Sequence, residues 1–308
     1  MKTHQIGSLE ASAVGLGCNN FGWHIDQAQT QKVVDAAIAA GITMFDTADV
    51  YGEGRSEVML AKALGSRREK ILIATKVGMG KEKGGGAPDY VRQECEASLQ
   101  RLGTDYIDLY YLHQPDSATP IADTLGALSR LVEAGKVREV ACSNFSAAQL
   151  HEAAKVGTSK HFAAVQNEFS LLERAPERDG VLAAANELGV ALVPYFPLKS
   201  GLLTGKYRKG STPEGSRLNA GKDSKFAGMG DALLTDQNLD TVEALIAFCE
   251  QRGHTILELA FSWLLAHEGV ASVIAGATKP EQIRGNVAAA GWALSDEELA
   301  AVDEILAG

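Results

Sequence analysis

Six apolar, β-prone runs end near residues 46, 76, 113, 143, 166 and 195, between 23 and 37 residues apart. That interval is the size of one strand–helix unit, and a helical pattern lies in each gap. Ala13–Gly17 precedes the series and Val270–Ile274 follows it, which makes eight strands in 308 residues. A chain paced this way is expected to form one (β/α)8 barrel domain over residues 1–308, not a doubly wound sheet. The first strand turn, Gly15-Leu16-Gly17-Cys18-Asn19-Asn20, also lacks the glycine spacing of a Rossmann dinucleotide turn.

Around this frame the sequence predicts a hairpin over roughly residues 3–11 and helices at Asp26–Ala40, Ser56–Leu64, from Pro88, Ile121–Ala134 and Pro280–Ala290. Arg55 or Ser56 is expected to cap the second of these helices and Asp89 the third. An extra C-terminal helix, Asp296–Leu306, starts at a capping box of Ser295 and Glu298. The polar, Gly-rich stretch Ser200–Asn238 follows strand seven as one long loop. A loop of that length is usually a functional lid or a disordered segment, and in a barrel it sits on the C-terminal face.

Composition narrows the partners. Hydrophobic content of 45% supports a large core, and a net charge of −10 leaves no basic footprint for nucleic acid. An acidic chain can still hold a local basic pocket for phosphate. No run reaches membrane-span length and the N-terminus has no apolar core of signal-peptide length, so a cytoplasmic protein is expected. Cys18, Cys95, Cys142 and Cys249 are scattered without metal-ligand spacing, which reads as reduced thiols and no metal site.

Three strands end on chemically capable residues: Asp46, Lys76 and His113, with Tyr51 just beyond the first. Neighbouring parallel strands lie about 5 Å apart, so these side chains are expected side by side at one sheet edge. Singly, a strand-end Asp or Lys is usually a solvated rim residue and a lone His usually structural. Together on successive strands they read as a catalytic group.

The stretch Gly41-Ile42-Thr43-Met44-Phe45-Asp46-Thr47-Ala48-Asp49-Val50-Tyr51-Gly52 resembles the most distinctive segment of the aldo-keto reductases. So, in the same order, do Thr75-Lys76, Leu112-His113-Gln114-Pro115-Asp116, Ser143-Asn144-Phe145, Gln166-Asn167-Glu168, Gly201-Leu202-Leu203-Thr204-Gly205-Lys206 and Gly276-Ala277-Thr278-Lys279-Pro280-Glu281-Gln282. The pattern is most similar to the bacterial and channel-subunit-like branch. The resemblance implies metal-free, NAD(P)H-dependent interconversion of small-molecule carbonyls and alcohols. A slowly turning-over auxiliary subunit that keeps its cofactor is the alternative.

In that reading Tyr51 donates the proton, Lys76 eases its loss, Asp46 holds Lys76, and His113 orients the carbonyl oxygen. By position, Ser143, Asn144 and Gln166 match residues that hold the nicotinamide carboxamide, and Tyr195 the ring-stacking aromatic. Leu198 and Ser200 match positions along the pyrophosphate. Gly276, Thr278, Lys279, Gln282 and Asn286 match the adenosine-phosphate cradle, although Gly276 could be a simple turn residue and Asn286 a surface one. Phe21 and Trp23 are substrate-pocket candidates, with Trp23 equally readable as core. Two departures stand out. Phe196 replaces a common serine, and Gln282 replaces an arginine that grips the 2′-phosphate, leaving Lys279 and Arg284 to compensate. NADP(H) is the expected cofactor, with NAD(H) possible.

Overall fold

The computed structural model describes residues 1–81, 83–219 and 228–307. Eight parallel strands run in chain order around a ring: β3 (Val14–Gly17), β4 (Met44–Asp46), β5 (Leu72–Val77), β6 (Ile107–Leu112), β7 (Val137–Ser143), β8 (Ala164–Gln166), β9 (Ala191–Leu192) and β10 (Val273–Gly276). β10 returns to pair with β3, with Val273 opposite Val14 and Gly276 opposite Gly17. The ring closes through a parallel bridge between Leu192 and Val270, flanked by Ala271 N donating to Leu192 O at 2.9 Å. The expected (β/α)8 barrel is the observed fold.

Successive strand residues point to opposite faces, and this alternation sorts the apolar residues into two cores. Met44, Ala74, Leu109, Tyr111, Ala141, Ala164, Val193 and Ile274 fill the barrel interior. Phe45, Ile73, Tyr110, Leu112, Val140, Cys142, Val165 and Leu192 face the helices. The hairpin β1 (Thr3–Ile6) and β2 (Leu9–Ser12) turns at Gly7, whose φ of 57° suits glycine. Ile6, Leu9 and Ala11 join the interior cluster, so the hairpin plugs the end of the barrel away from Asp46 and His113.

The surrounding helices are α1 (Gln27–Ala39), α2 (Arg55–Leu64), α3 (Pro88–Leu102), α4 (Ile121–Glu133), α5 (Ala147–Ala154), α6 (Ala175–Arg178), α7 (Val181–Leu188), α8 (Met229–Leu233), α9 (Asp236–Glu250), α10 (Ile256–Ala266), α11 (Pro280–Ala289) and α12 (Asp296–Ala307). No helix among the described residues is long and apolar enough to cross a membrane. Asp26 caps α1 by accepting from Gln29 N at 2.8 Å, and the Ser295–Glu298 box opens α12.

Several boundaries differ from expectation. Gly54, at φ 83°, precedes α2, while Ser56 lies inside the helix with its hydroxyl donating to Cys18 O at 2.8 Å. Pro88 is already helical, so Ala87 and not Asp89 holds the cap position of α3. The eighth strand begins later than Val270, because Val270 and Ala271 pair across the closure with Leu192 while Val273 onward pairs with β3. The seventh is shorter than Val190–Tyr195, since Pro194 has no N–H to donate. Of the stretch 200–238, residues 220–227 lie outside the described residues. The described part is packed: Leu202, Leu203, Tyr207 and Leu218 are buried, and short helical turns form at Lys199–Thr204 and Arg217–Asn219.

Candidate active site

Asp46 ends β4, paired with Gly17 on one side and Ala74 on the other. Lys76 lies one residue before the end of β5, and His113 follows β6, its N–H donating to Val77 O at 2.8 Å. The β4–α2 turn, with Gly52, Glu53 and Gly54 all at positive φ, folds Tyr51 back over these strand ends.

Lys76 is completely buried. Its ammonium donates to an Asp46 carboxylate oxygen and, at 2.8 Å, to Thr47 O. The ammonium also sits 5.2 Å from the Tyr51 ring centroid, and the His113 ring meets the Tyr51 ring edge-on at 5.9 Å. The second Asp46 oxygen accepts from Gln166 Nε2 at 2.8 Å. The resemblance implied Gln166 as a cofactor ligand; in the structure its side-chain amide bonds Asp46 from across the barrel.

Burial acts on Lys76, Tyr51 and His113. It favours the neutral amine of Lys76, but the Asp46 carboxylate and the neighbouring phenol outweigh it and raise the ammonium's pKa. Burial lifts the Tyr51 phenol above its ordinary value, while Lys76 opposes the rise. The His113 imidazole is pushed down to about 3 by burial and then by the Lys76 charge. At neutral pH His113 is therefore an uncharged hydrogen-bonding ring and Tyr51 holds its proton. His113 Nδ1 is buried and has no hydrogen-bond partner among the described residues.

Asp46, Tyr51 and His113 open onto a cavity of about 350 Å³ that Ser143, Asn144, Gln166 and Tyr195 also line. The polar wall is internally braced. Ser143 Oγ donates to Gln166 O at 2.7 Å, Asn144 Nδ2 to His113 O at 3.0 Å, and Tyr195 OH to Asn144 Oδ1 at 2.9 Å. Asn144 adopts φ 62°, a left-handed conformation that Asn tolerates better than most residues. Trp23 lines this cavity; Phe21 does not, being completely buried in the strand–helix core.

A second cavity, about 550 Å³, shares the walls Asn19, Phe196, Ile274 and Gly276 with the first. Leu198, Ser200, Thr278, Lys279 and Gln282, the positions matched to the cofactor's phosphates, line it together with Gly276. A Cβ on Gly276 would come within 3.1 Å of both Asn19 and Asn20 side chains, so any larger residue here would press on these two amides. Asn286 is buried on α11 and is not among the residues lining either cavity. Arg284 pairs with Glu281 at 2.9 Å on the exposed side of α11. Gln282 Oε1 accepts from Thr278 N at 2.7 Å and Lys279 N at 3.1 Å, so it acts as a cap on α11.

The sequence did not single out Lys206 and Arg217, which among the described residues bring the cations of this second cavity to three with Lys279. No Asp or Glu lines it among the described residues. Lys206 was visible only as part of the Gly201–Lys206 block. Arg217 comes from the long insertion, where no local pattern marked it.

The sequence model of the Aldo/keto reductase family matches residues 13–307. The L-glyceraldehyde 3-phosphate reductase of Escherichia coli O157:H7 is 34% identical, the match covering 97% of this chain and 90% of that protein. The aldo-keto reductase str7 of Strobilurus tenacellus is 36% identical over 99% of this chain and 92% of its own. Among solved structures, the glycerol dehydrogenase of Gluconobacter oxydans superposes with a TM-score of 0.83 at 33% identity, covering 99% of this chain and 95% of that one.

Proposed function

The chain belongs to the aldo/keto reductase family of oxidoreductases, and from that premise we propose that it reduces aldehydes or ketones with NADPH, Tyr51 donating the proton. The observation that carries this reading is the buried Asp46–Lys76 pair set beneath the Tyr51 ring, with neutral His113 at its edge. A bound nicotinamide would supply the hydride. Ser143, Asn144, Gln166 and Tyr195 would hold its ring, while Leu198, Ser200 and the Lys206, Arg217 and Lys279 cations would hold its phosphates. The fit rests on charge: three cations gather in one groove of a protein whose net charge is −10.

A carbonyl oxygen that gains negative charge needs a proton and a stabilising donor. Tyr51 holds its proton at neutral pH as any phenol does, burial raising its pKa further, and the Lys76 ammonium stabilises the phenolate left behind. Asp46, held by Gln166, fixes that ammonium. His113, kept neutral, orients the substrate oxygen as a hydrogen-bond donor without competing for the proton. With the whole cluster in place, turnover is favoured over a purely auxiliary role. The four cysteines are buried and free, which suits the reducing cytoplasm.

Consumption of NADPH and NADH against a panel of carbonyls, with alcohols in reverse, tests the activity. Tyr51→Phe removes the proton donor while leaving the ring in place, so kcat falls about 10²–10⁴-fold with cofactor Kd nearly unchanged. Wild-type kcat in that variant, with chemistry rate-limiting, would remove Tyr51 from the mechanism.

A further inference from the structure

Among the described residues, four large apolar side chains stand well exposed: Met1, Trp23, Met79 and Phe196. Three of them, at 41%, 41% and 43% exposure, rim the cavity over Tyr51 and His113. They come from three separate loops, following β3, β5 and β9. Val50 and Ile274 extend the same wall. Exposed apolar surface gathered at one concave place marks a binding surface.

Phe196 carries the strongest signal. It holds φ 51°, a conformation unfavourable for a bulky residue. Its ring packs edge-on against Tyr195 at 5.2 Å, and it lines both cavities. It thus forms an aromatic partition between the cationic groove and the catalytic cavity.

The polar side chains of the catalytic cavity are mostly committed to one another. Asp46 accepts from Lys76 and Gln166, Ser143 donates to Gln166 O, and Asn144 is bonded to His113 O and Tyr195. Among the described residues no Lys or Arg lines this cavity; Lys206, Arg217 and Lys279 line the neighbouring one. A phosphate or a string of hydroxyls on the substrate would therefore leave water for Trp23, Val50, Met79 and Phe196 without replacement partners, which is costly.

Resting on the carbonyl-reductase reading, we propose that the substrate is a neutral, largely apolar aldehyde or ketone, aryl or medium-chain alkyl, held by Trp23, Val50, Met79 and Phe196. Phosphorylated and polyhydroxylated carbonyls are poor substrates. Specificity is then set by the partition of surface: charge reads the cofactor, and apolar wall reads the substrate.

The test is kcat/KM of the full-length protein with saturating NADPH for propanal, butanal, pentanal and hexanal, beside glyceraldehyde and glyceraldehyde 3-phosphate. Each added CH₂ should raise kcat/KM roughly two- to fourfold, the range set by partial to complete burial of a methylene. Hexanal should exceed glyceraldehyde 3-phosphate by at least about tenfold, three such methylene steps. Phe196→Ser and Trp23→Ala should each flatten the chain-length rise, lowering hexanal more than propanal. Met79→Lys should shift the ratio toward glyceraldehyde 3-phosphate. A flat series, or glyceraldehyde 3-phosphate as the better substrate, overturns this inference and leaves carbonyl reduction standing. Failure of every carbonyl to oxidise cofactor overturns carbonyl reduction itself, and this inference with it.

Discussion

Asp49 is a half-buried carboxyl three residues beyond Asp46, in the loop that carries Tyr51. It accepts from Val50 N at 2.8 Å, yet burial and then the charge of Glu57 push it up to about 7, with Arg101 opposing. An unfolded Asp ionises near 4. The folded chain thus holds a proton that the unfolded chain releases, and stability is full below pH 4 and declines as pH rises toward 7. Asp49→Asn removes that loss: relative to wild type it should gain on the order of 2 kcal/mol at pH 8, and little at pH 4. Urea unfolding at both pH values measures this, and a difference independent of pH would rule out the ionisation. His113 has the opposite sense. Its lowered pKa adds stability above about 6.5 that is lost as pH falls toward 3.

The N-terminus of α11 shows how one element can be read two ways. Position 282 resembles a phosphate-gripping position, but the Gln282 side-chain oxygen is occupied with the Thr278 and Lys279 N–H groups. Charge at this end falls to exposed Lys279, since Arg284 is turned to Glu281. Gln282→Glu keeps the capping geometry, for which Glu and Gln serve alike, and adds a negative charge. It should raise the Kd for NADPH several-fold more than that for NADH, with the melting temperature little changed. Lys279→Ala should act in the same direction. Fluorescence titration with both cofactors reads the result, and equal losses for NADH and NADPH would show that neither position senses the 2′-phosphate.

At the scale of the molecule, the proposed chemistry and the hairpin plug occupy opposite ends of the barrel. The proposed catalytic cluster lies at the C-terminal strand ends, while the hairpin closes the other end with Ile6 and Leu9 buried against the interior residues. Ile6→Ala should cost about 2–4 kcal/mol, as large-to-small core changes do. Because that site is remote from Tyr51, kcat at permissive temperature should stay within about twofold of wild type. Chemical denaturation and steady-state rates separate the two effects. A large drop in kcat from the folded variant would mean that the plug also shapes the active site.

Strand pacing fixed the barrel in advance, because a parallel strand and its helix need a set length of chain and buried strands need continuous apolar runs. It also put Asp46, Lys76 and His113 on adjacent strand ends, where the pairing of β4, β5 and β6 left them little choice. Helix caps were less legible: Gly54 and Ala87 hold cap positions without a side-chain bond, so residue type did not reveal them. Phe21 and Trp23 are two residues apart, but one faces the core and the other the cavity, a distinction made by how the loop after β3 folds. Gln166 meets Asp46 only across the barrel axis. The gathering of Lys206, Arg217 and Lys279, and the apolar rim of Trp23, Met79 and Phe196, join loops far apart in the chain. Periodicity and local motif carried the frame and the candidate reacting groups; long-range packing alone decided which charges and which apolar surfaces surround them.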